Sequence, residues 1–170
     1  MAKKEAPTIV TERLTLRRLT EADIPSMAEM FGDEQVTRFL SGDTPPSDEH
    51  AMLKIVRARR ETEWAIIHND SGEFIGDAMI PSIAEGYLGE IGCLLRSEYW
   101  RKGYAREAMS AIIDHCSGTL GLKRLCARTD NNNIRAKKLM EHLGFECHAV
   151  LHEANFIGRV CDIVYYSRLL

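Results

Sequence analysis

The clearest periodicity in the chain is an apolar stripe that begins at Ala105. Apolar residues recur there at helical spacings of three and four, as on a helix with one face against a core. A helix of this kind needs a layer to pack on, so the segments around it decide the fold. The stripe consists of Ala105, Ala108, Met109, Ile112, Ile113 and Cys116.

Short apolar runs before and after this helix predict strands. Residues 9–19 alternate around Leu14 and Leu16 with the period of a half-buried strand. A hairpin is predicted where two runs flank the turn residues 69–72. The remaining predicted strands cover residues 63–68, 74–80, 90–95, 122–128, 145–151 and 160–169.

Three more segments carry helix signals. Thr20 offers a hydroxyl cap with Asp23 three residues later, before an apolar pattern that ends at Gly32. Residues 41–47 form a predicted loop before a more polar helix over residues 48–60. A helix over 133–143 is predicted to end at Gly144.

The order of these elements predicts an α/β (α+β) domain of three layers on a mixed sheet. A chain of 170 residues can bury one sizeable core, so we expect one domain over residues 9–170 behind an N-terminal tail, 1–8.

Composition argues against several classes of partner. The formal net charge of −3 disfavours nucleic acid, and no apolar run reaches membrane-spanning or signal-peptide length. The cysteines are odd in number and contain no CxxC pair, which predicts neither disulfides nor a metal site. We therefore expect a cytoplasmic protein without a metal, membrane or nucleic-acid partner.

A basic turn with one glycine joins the predicted strand 90–95 to the striped helix. A helix N-terminus presents unpaired N–H groups, and Gly103 would let the backbone approach an anion such as a pyrophosphate. Arg101, Lys102 and Arg106 add positive charge. An ordinary capped helix with solvated basic residues explains the same pattern.

Four segments together carry a family resemblance. EIGCLLRSEYWRKGYAREAM resembles the coenzyme-A-binding segment of the GCN5-related N-acetyltransferases (GNAT), and NIRAKKLMEHLGF resembles their later helix. The opening TERLTLRRLTEAD and the closing LHEANFIGRVCDIVYYSRL are similar to the branch of ribosomal-protein-alanine N-acetyltransferases. The resemblance implies a mostly antiparallel sheet of six to seven strands, about four helices, a splayed central parallel strand pair and acetyl-CoA as co-substrate.

The resemblance also implies which residues hold the coenzyme. Backbone groups at 93–95 would meet the pantetheine arm, and residues 101–106 would wrap the pyrophosphate. Asn133 would contact the pantetheine, although a helix cap is the favoured explanation and both roles can hold together. The implied coenzyme-binding residues are Cys93, Leu94, Leu95, Arg101, Lys102, Gly103, Tyr104, Ala105, Arg106, Asn133 and Lys138.

Attack of an amine on a thioester needs a base, an oxyanion donor and a proton for the leaving thiolate. The backbone N–H near Leu94 is a candidate oxyanion donor. Glu90 and Glu153 are candidate bases, and Tyr166 is a candidate acid, with Tyr104, Tyr165 and water as alternative proton donors. Relatives in this branch carry a serine where this chain has Ala136.

The expected acceptor is a primary amine, with the α-amino group of a protein or peptide N-terminus as first choice. Polyamines, amino acids and antibiotics are alternatives, and Ala136 leaves open a non-catalytic acyl-CoA-binding module. A homodimer is also left open.

Overall fold

The computed structural model describes residues 6–40, 52–53, 56–57, 62–84, 86–156 and 159–170, without the side chains of 156 and 159. The predicted loop 41–47 lies outside these residues. So does most of the predicted helix 48–60, within which Met52, Leu53, Val56 and Arg57 are helical.

The described strands form one sheet in the order β1-β2-β3-β4-β5-β6-β8-β7. Neighbouring strands are antiparallel except for β5 and β6, which run parallel. The strands are β1 Ile9–Val10, β2 Leu14–Arg18, β3 Glu63–His68, β4 Phe74–Ala84, β5 Leu88–Leu95, β6 Arg124–Asp130, β7 Glu146–Phe156 and β8 Arg159–Leu169. The helices described along their whole length are α1 Ile24–Gly32, α2 Glu34–Thr37, α3 Tyr104–Gly118 and α4 Ile134–His142.

The first predicted strand is in fact two strands, which corrects the prediction for residues 9–19. The chain turns back after Val10, where the N–H of Thr11 donates to the Leu14 carbonyl at 2.8 Å and the Thr11 hydroxyl oxygen accepts from the Leu14 N–H at 3.1 Å. Ile9 then pairs with Leu16 across the turn. This extra strand brings the described sheet to eight strands, one more than the upper limit expected.

Two cores lie on opposite sides of the sheet and confirm the three layers. On one side α3 buries its predicted stripe, since Ala108, Met109, Ile112, Ile113 and Cys116 are at most 3% exposed. On the other side α1 packs Ile24, Met27, Met30 and Phe31 against Ala65 and Phe74 of the sheet.

The central parallel pair separates soon after it begins. β5 pairs with β6 only over 88–90, opposite 124–126. Both strands continue for four or five further residues without this pairing, so the β6-facing edge of β5 from Ile91 to Leu95 has no described strand partner. The predicted splay is therefore present, and it opens a gap in the middle of the sheet.

Candidate active site

A cavity of about 860 Å³ lies beside the gap between β5 and β6. Its walls come from the carboxyl end of β5, the turn before α3, the first turns of α4, and α2. These four elements meet there because the two parallel strands that carry α3 and α4 diverge. A long, thin ligand could enter this cavity and lie along the free edge of β5.

The β5 wall is made of Cys93, Leu94 and Leu95, the three residues expected to meet a pantetheine arm. Burial, and then the charge of Asp77, raises the pKa of the Cys93 thiol. Cys93 therefore stays a neutral thiol and contributes an apolar surface rather than a nucleophile.

The turn before α3 has an unusual backbone. Arg101 has φ of +62°, and Gly103, the N-cap of α3, has φ of +85°. Both values lie in the left-handed region, which glycine adopts without strain and arginine does not. Such a turn aims successive N–H groups at one point and is a common anion-binding geometry.

Most of the predicted pyrophosphate residues line the cavity, and one does not. The lining includes Arg101, Gly103, Tyr104, Ala105 and Arg106. Lys102 is outside it, with its Nζ 5.2 Å from the centre of the Tyr99 ring.

The α4 wall contains Asn133, Ala136 and Lys138. Oδ1 of Asn133 accepts a hydrogen bond from the Ala136 N–H at 3.2 Å, so this side chain caps the helix. Ala136 lines the site and has no hydroxyl to donate.

Glu90 lies at the point where the strands part, since it is the last residue of β5 paired to β6. Its carboxylate accepts two hydrogen bonds from Arg128, at 2.9 and 3.1 Å, and its side chain is 20% exposed. The bond with Glu90 raises the pKa of Arg128. Glu90 is not among the described residues that line the cavity.

The other two catalytic candidates also lie outside the described lining. Glu153 is exposed on β7 with φ of +49°, and its N–H donates to Asp162 at 3.1 Å. Tyr166 is 3% exposed in the core, where burial raises the pKa of its hydroxyl. The roles of Glu90, Glu153 and Tyr166 stay predictions.

Several lining residues were not anticipated from the sequence. α2 contributes Gln35, Val36 and, just after its end, Phe39. Arg135 of α4 places its guanidinium 4.1 Å from the centre of the Trp100 ring, joining two walls of the cavity. A short helix and an isolated arginine carry no motif, so only their placement in the fold reveals them.

The sequence of residues 13–146 matches the acetyltransferase (GNAT) domain. This chain belongs to the GNAT family. A relative, the uncharacterized N-acetyltransferase YoaA of Bacillus subtilis (strain 168), is 29% identical over 154 residues, which are 86% of this chain and 87% of the relative. The GNAT prediction and the assignment as an acetyltransferase enzyme are thereby confirmed.

Solved GNAT structures have the same fold. An acetyltransferase (GNAT family) from Bacillus anthracis matches with a TM-score of 0.87 at 21% identity, covering 96% of this chain and 98% of that chain. Mycobacterium smegmatis RimJ in complex with CoA-disulfide matches with a TM-score of 0.81 at 19% identity, covering 92% and 81%. Similarity at these identities establishes the fold alone.

GNAT enzymes use acetyl-CoA, and the cavity fits such a ligand. The left-handed turn at Gly103 and the side chains of Arg101, Arg106 and Lys138 suit an anionic, phosphate-rich group. The unpaired edge of β5 suits the amide groups of a pantetheine arm, which can pair with backbone as a strand would.

The described part of the chain carries neither a candidate metal cluster nor a membrane-spanning helix. No group of three His, Cys, Asp or Glu side chains there could hold a metal ion. No helix in the same part is long and apolar enough to cross a membrane.

Proposed function

We propose that this acetyltransferase moves the acetyl group of acetyl-CoA directly to the α-amino group of a protein or peptide N-terminus. The observation that carries the proposal is the cavity beside the parted strands, with a left-handed turn at one end and a free strand edge along its side. The peptide acceptor rests on the resemblance of both chain ends to the ribosomal-protein-alanine branch, and the likeness in fold to RimJ is in keeping with it.

The coenzyme would be held mainly by backbone. The N–H groups of the turn 101–103 and of the first turn of α3 would bind the pyrophosphate, with Arg101, Arg106 and Lys138 adding charge. Cys93 to Leu95 would pair with the pantetheine arm. This leaves the thioester near the point where β5 and β6 part, close to Glu90.

The reaction joins the amine nitrogen to the acetyl carbon and breaks the bond from that carbon to sulfur. The ammonium group of the acceptor must first lose a proton. The leaving thiolate must then gain one. An α-amino group, with a pKa of about 7.7–8.0, loses its proton far more easily than a lysine side chain near 10.4.

Glu90 is the proposed base. Arg128 orients its carboxylate through two hydrogen bonds, and its position at the splay is near the proposed thioester. Since Glu90 does not line the cavity, we propose that an intervening water carries the proton. Glu153 is the second candidate and would act from the β7–β8 side.

The proton for the thiolate is proposed to come from water. Ala136 has no hydroxyl, and Tyr166 is almost completely buried. Release of the thiol would then depend on solvent in the cavity rather than on a side-chain acid.

The test follows free-thiol release from acetyl-CoA with a panel of acceptors. The panel contains short peptides, the same peptides with a blocked N-terminus and one internal lysine, spermidine, and free amino acids. We expect free N-termini to accelerate thiol release and their blocked counterparts to be inert.

Other outcomes would overturn the proposal. Acceleration by spermidine or amino acids alone would identify a small-amine acetyltransferase. Activity with the blocked peptides would identify a lysine side chain as the acceptor. Binding of acetyl-CoA in calorimetry without thiol release from any acceptor would favour a non-catalytic acyl-CoA-binding module.

A further inference from the structure

We propose that Arg13 is a positioning residue that holds the turn 101–103 in its coenzyme-binding shape and so sets the affinity for acetyl-CoA. This inference rests on the proposed function, because it assigns the turn to the coenzyme. Arg13 follows β1 and is about ninety positions away from the turn in sequence, so no local motif connects the two.

The guanidinium group of Arg13 joins the turn to α3. Its Nη1 donates to the backbone carbonyl of Lys102 at 2.9 Å. Its Nε and Nη2 each lie 2.7 Å from Oε2 of Glu107 in the first turn of α3. A planar fork directs separate donors at both partners at once, whereas the donors of a lysine ammonium group all radiate from one atom.

Glu107 is also held by the loop between β1 and β2, which contains Arg13. Its Oε1 accepts from the backbone N–H of Arg13 at 2.8 Å and from the Thr11 hydroxyl at 2.6 Å. Burial alone would raise the pKa of Glu107, but the hydrogen bonds from Thr11 and Arg13 outweigh it and hold the pKa below its ordinary value. The pair is therefore ionised at neutral pH.

The turn needs such support because its backbone is strained. Arg101, with φ of +62°, adopts a left-handed conformation that is strained for a residue other than glycine. A strained segment persists only where surrounding contacts fix it. The bond from Arg13 falls on Lys102, between the two residues with positive φ.

The same bond orients a neighbouring donor. The C=O and N–H groups of a trans peptide point in opposite directions. Because Arg13 binds the carbonyl of Lys102, the N–H of Gly103 in the same peptide unit points away from Arg13. Gly103 lines the cavity, whereas Arg13 is not among the described lining residues. Arg13 thus acts through the turn and not as a direct ligand.

Arg13 also packs closely against the turn. A Cβ added to Gly103 would lie 3.2 Å from Nη2 of Arg13. The guanidinium carbon lies 4.6 Å from the ring centre of Tyr104, which lines the cavity. Loss of Arg13 would therefore release both the carbonyl and the packing that define the turn.

The experiment compares Arg13→Lys and Arg13→Gln with a matched control, Arg17→Lys. Arg17 lies on β2 and has a similar arrangement, donating to the Arg18 carbonyl at 3.0 Å and to the Asp23 carboxylate at 2.7 and 2.9 Å. Calorimetry gives the Kd for acetyl-CoA, and displacement gives the affinity for S-acetylpantetheine, which lacks the pyrophosphate. Melting temperatures report on stability.

Both Arg13 variants are expected to raise the Kd for acetyl-CoA about tenfold. A change of this size corresponds to the loss of one charge-assisted hydrogen bond. Their affinity for S-acetylpantetheine should not change, and Arg17→Lys should bind acetyl-CoA as the unchanged protein does. A purely structural role would instead lower the melting temperature without separating the two ligands.

Four results would overturn the inference. Binding of acetyl-CoA by Arg13→Lys as tight as by the unchanged protein would mean that charge alone matters. An equal loss in Arg17→Lys, or an equal loss for S-acetylpantetheine, would indicate a general structural effect. If the unchanged protein does not bind acetyl-CoA, the proposed function itself fails, and this inference with it.

Discussion

Gly103 and Glu90 are the single residues on which the proposed site depends most. Gly103 occupies a left-handed position at the N-terminus of α3, with little space for a side chain. Glu90 ends the paired part of β5 and is held by Arg128. The first residue concerns binding of the coenzyme and the second concerns the chemistry, so their variants should affect different kinetic constants.

Substitution Gly103→Ala is expected to weaken binding of acetyl-CoA. A left-handed alanine costs about 1–2 kcal/mol, and its Cβ would press on Arg13. The control is Gly72→Ala, which has φ of +69° but nothing within 4 Å of an added Cβ. Both variants should lose stability in urea unfolding, and only Gly103→Ala should raise the Kd measured by calorimetry. Equal Kd values for the two variants would contradict this role.

Substitution Glu90→Gln is expected to lower kcat about a hundredfold, as loss of a general base commonly does, with KM for acetyl-CoA little changed. The control is Glu21→Gln, which breaks an exposed ion pair with Arg57. Steady-state thiol release over a pH range is the measurement. An unchanged kcat in Glu90→Gln would move the assignment to Glu153.

At the scale of elements, α4 shows how one side chain can serve both fold and site. Asn133 caps this helix through the Ala136 N–H and also lines the cavity. A side-chain cap also begins α2, where Asp33 accepts from the Gln35 N–H at 2.8 Å. Since α4 forms one wall of the cavity, fraying of its first turn would loosen that wall.

Substitution Asn133→Ala is expected to cost about 1 kcal/mol of unfolding free energy through loss of the cap. Asn133→Asp keeps a side-chain oxygen acceptor at the N-cap and should retain most of that stability, because Asp and Asn cap equally well. Urea unfolding at pH 7 measures both variants. A variant Asn133→Asp as unstable as Asn133→Ala would show that the cap contributes little.

The sequence predicts those elements whose signals are local. The stripe of α3, the Thr20 box before α1 and the hairpin of β3 and β4 were predictable because period and cap residues lie within one segment. The fold-back after Val10 was not, because the alternation of residues 9–19 continues through it. α2 was missed because its four residues are too few to show a helical period.

The residues of the site likewise fall into those that a local sequence signal predicts and those that it does not. The glycine turn and the capped helix α4 can be predicted, since a motif marks each one. Contacts such as Arg135 on Trp100 and Arg13 on Lys102 join residues 35 and 89 positions apart, which only the fold brings together.

At the scale of the whole molecule, the sheet separates two cores and places the site at the gap between its central strands. His115 lies at the edge of the α3 core, with its ring centre 5.7 Å from that of Trp64. Burial lowers the pKa of His115 in the folded protein. Protonation of this residue is therefore linked to the stability of the whole fold.

Stability is expected to fall on acidification through about pH 6.5, the ordinary pKa of histidine. A lowered pKa means that the unfolded chain binds more protons than the folded one there, so the free energy of unfolding rises with pH. His115→Gln should remove part of this slope. Urea midpoints at pH 5.5 and 8 measure it, and an identical slope in the variant would contradict the assignment.

The most direct test of the account is backbone hydrogen exchange with and without acetyl-CoA. The account predicts that acetyl-CoA slows exchange at the β5 edge, residues 93–95, at the turn and first helical residues 101–106, and in the first turn of α4. The amides of β7, on the far edge of the sheet, should not change. Protection located elsewhere, or no protection at saturating acetyl-CoA, would contradict the proposal that this cavity holds the coenzyme.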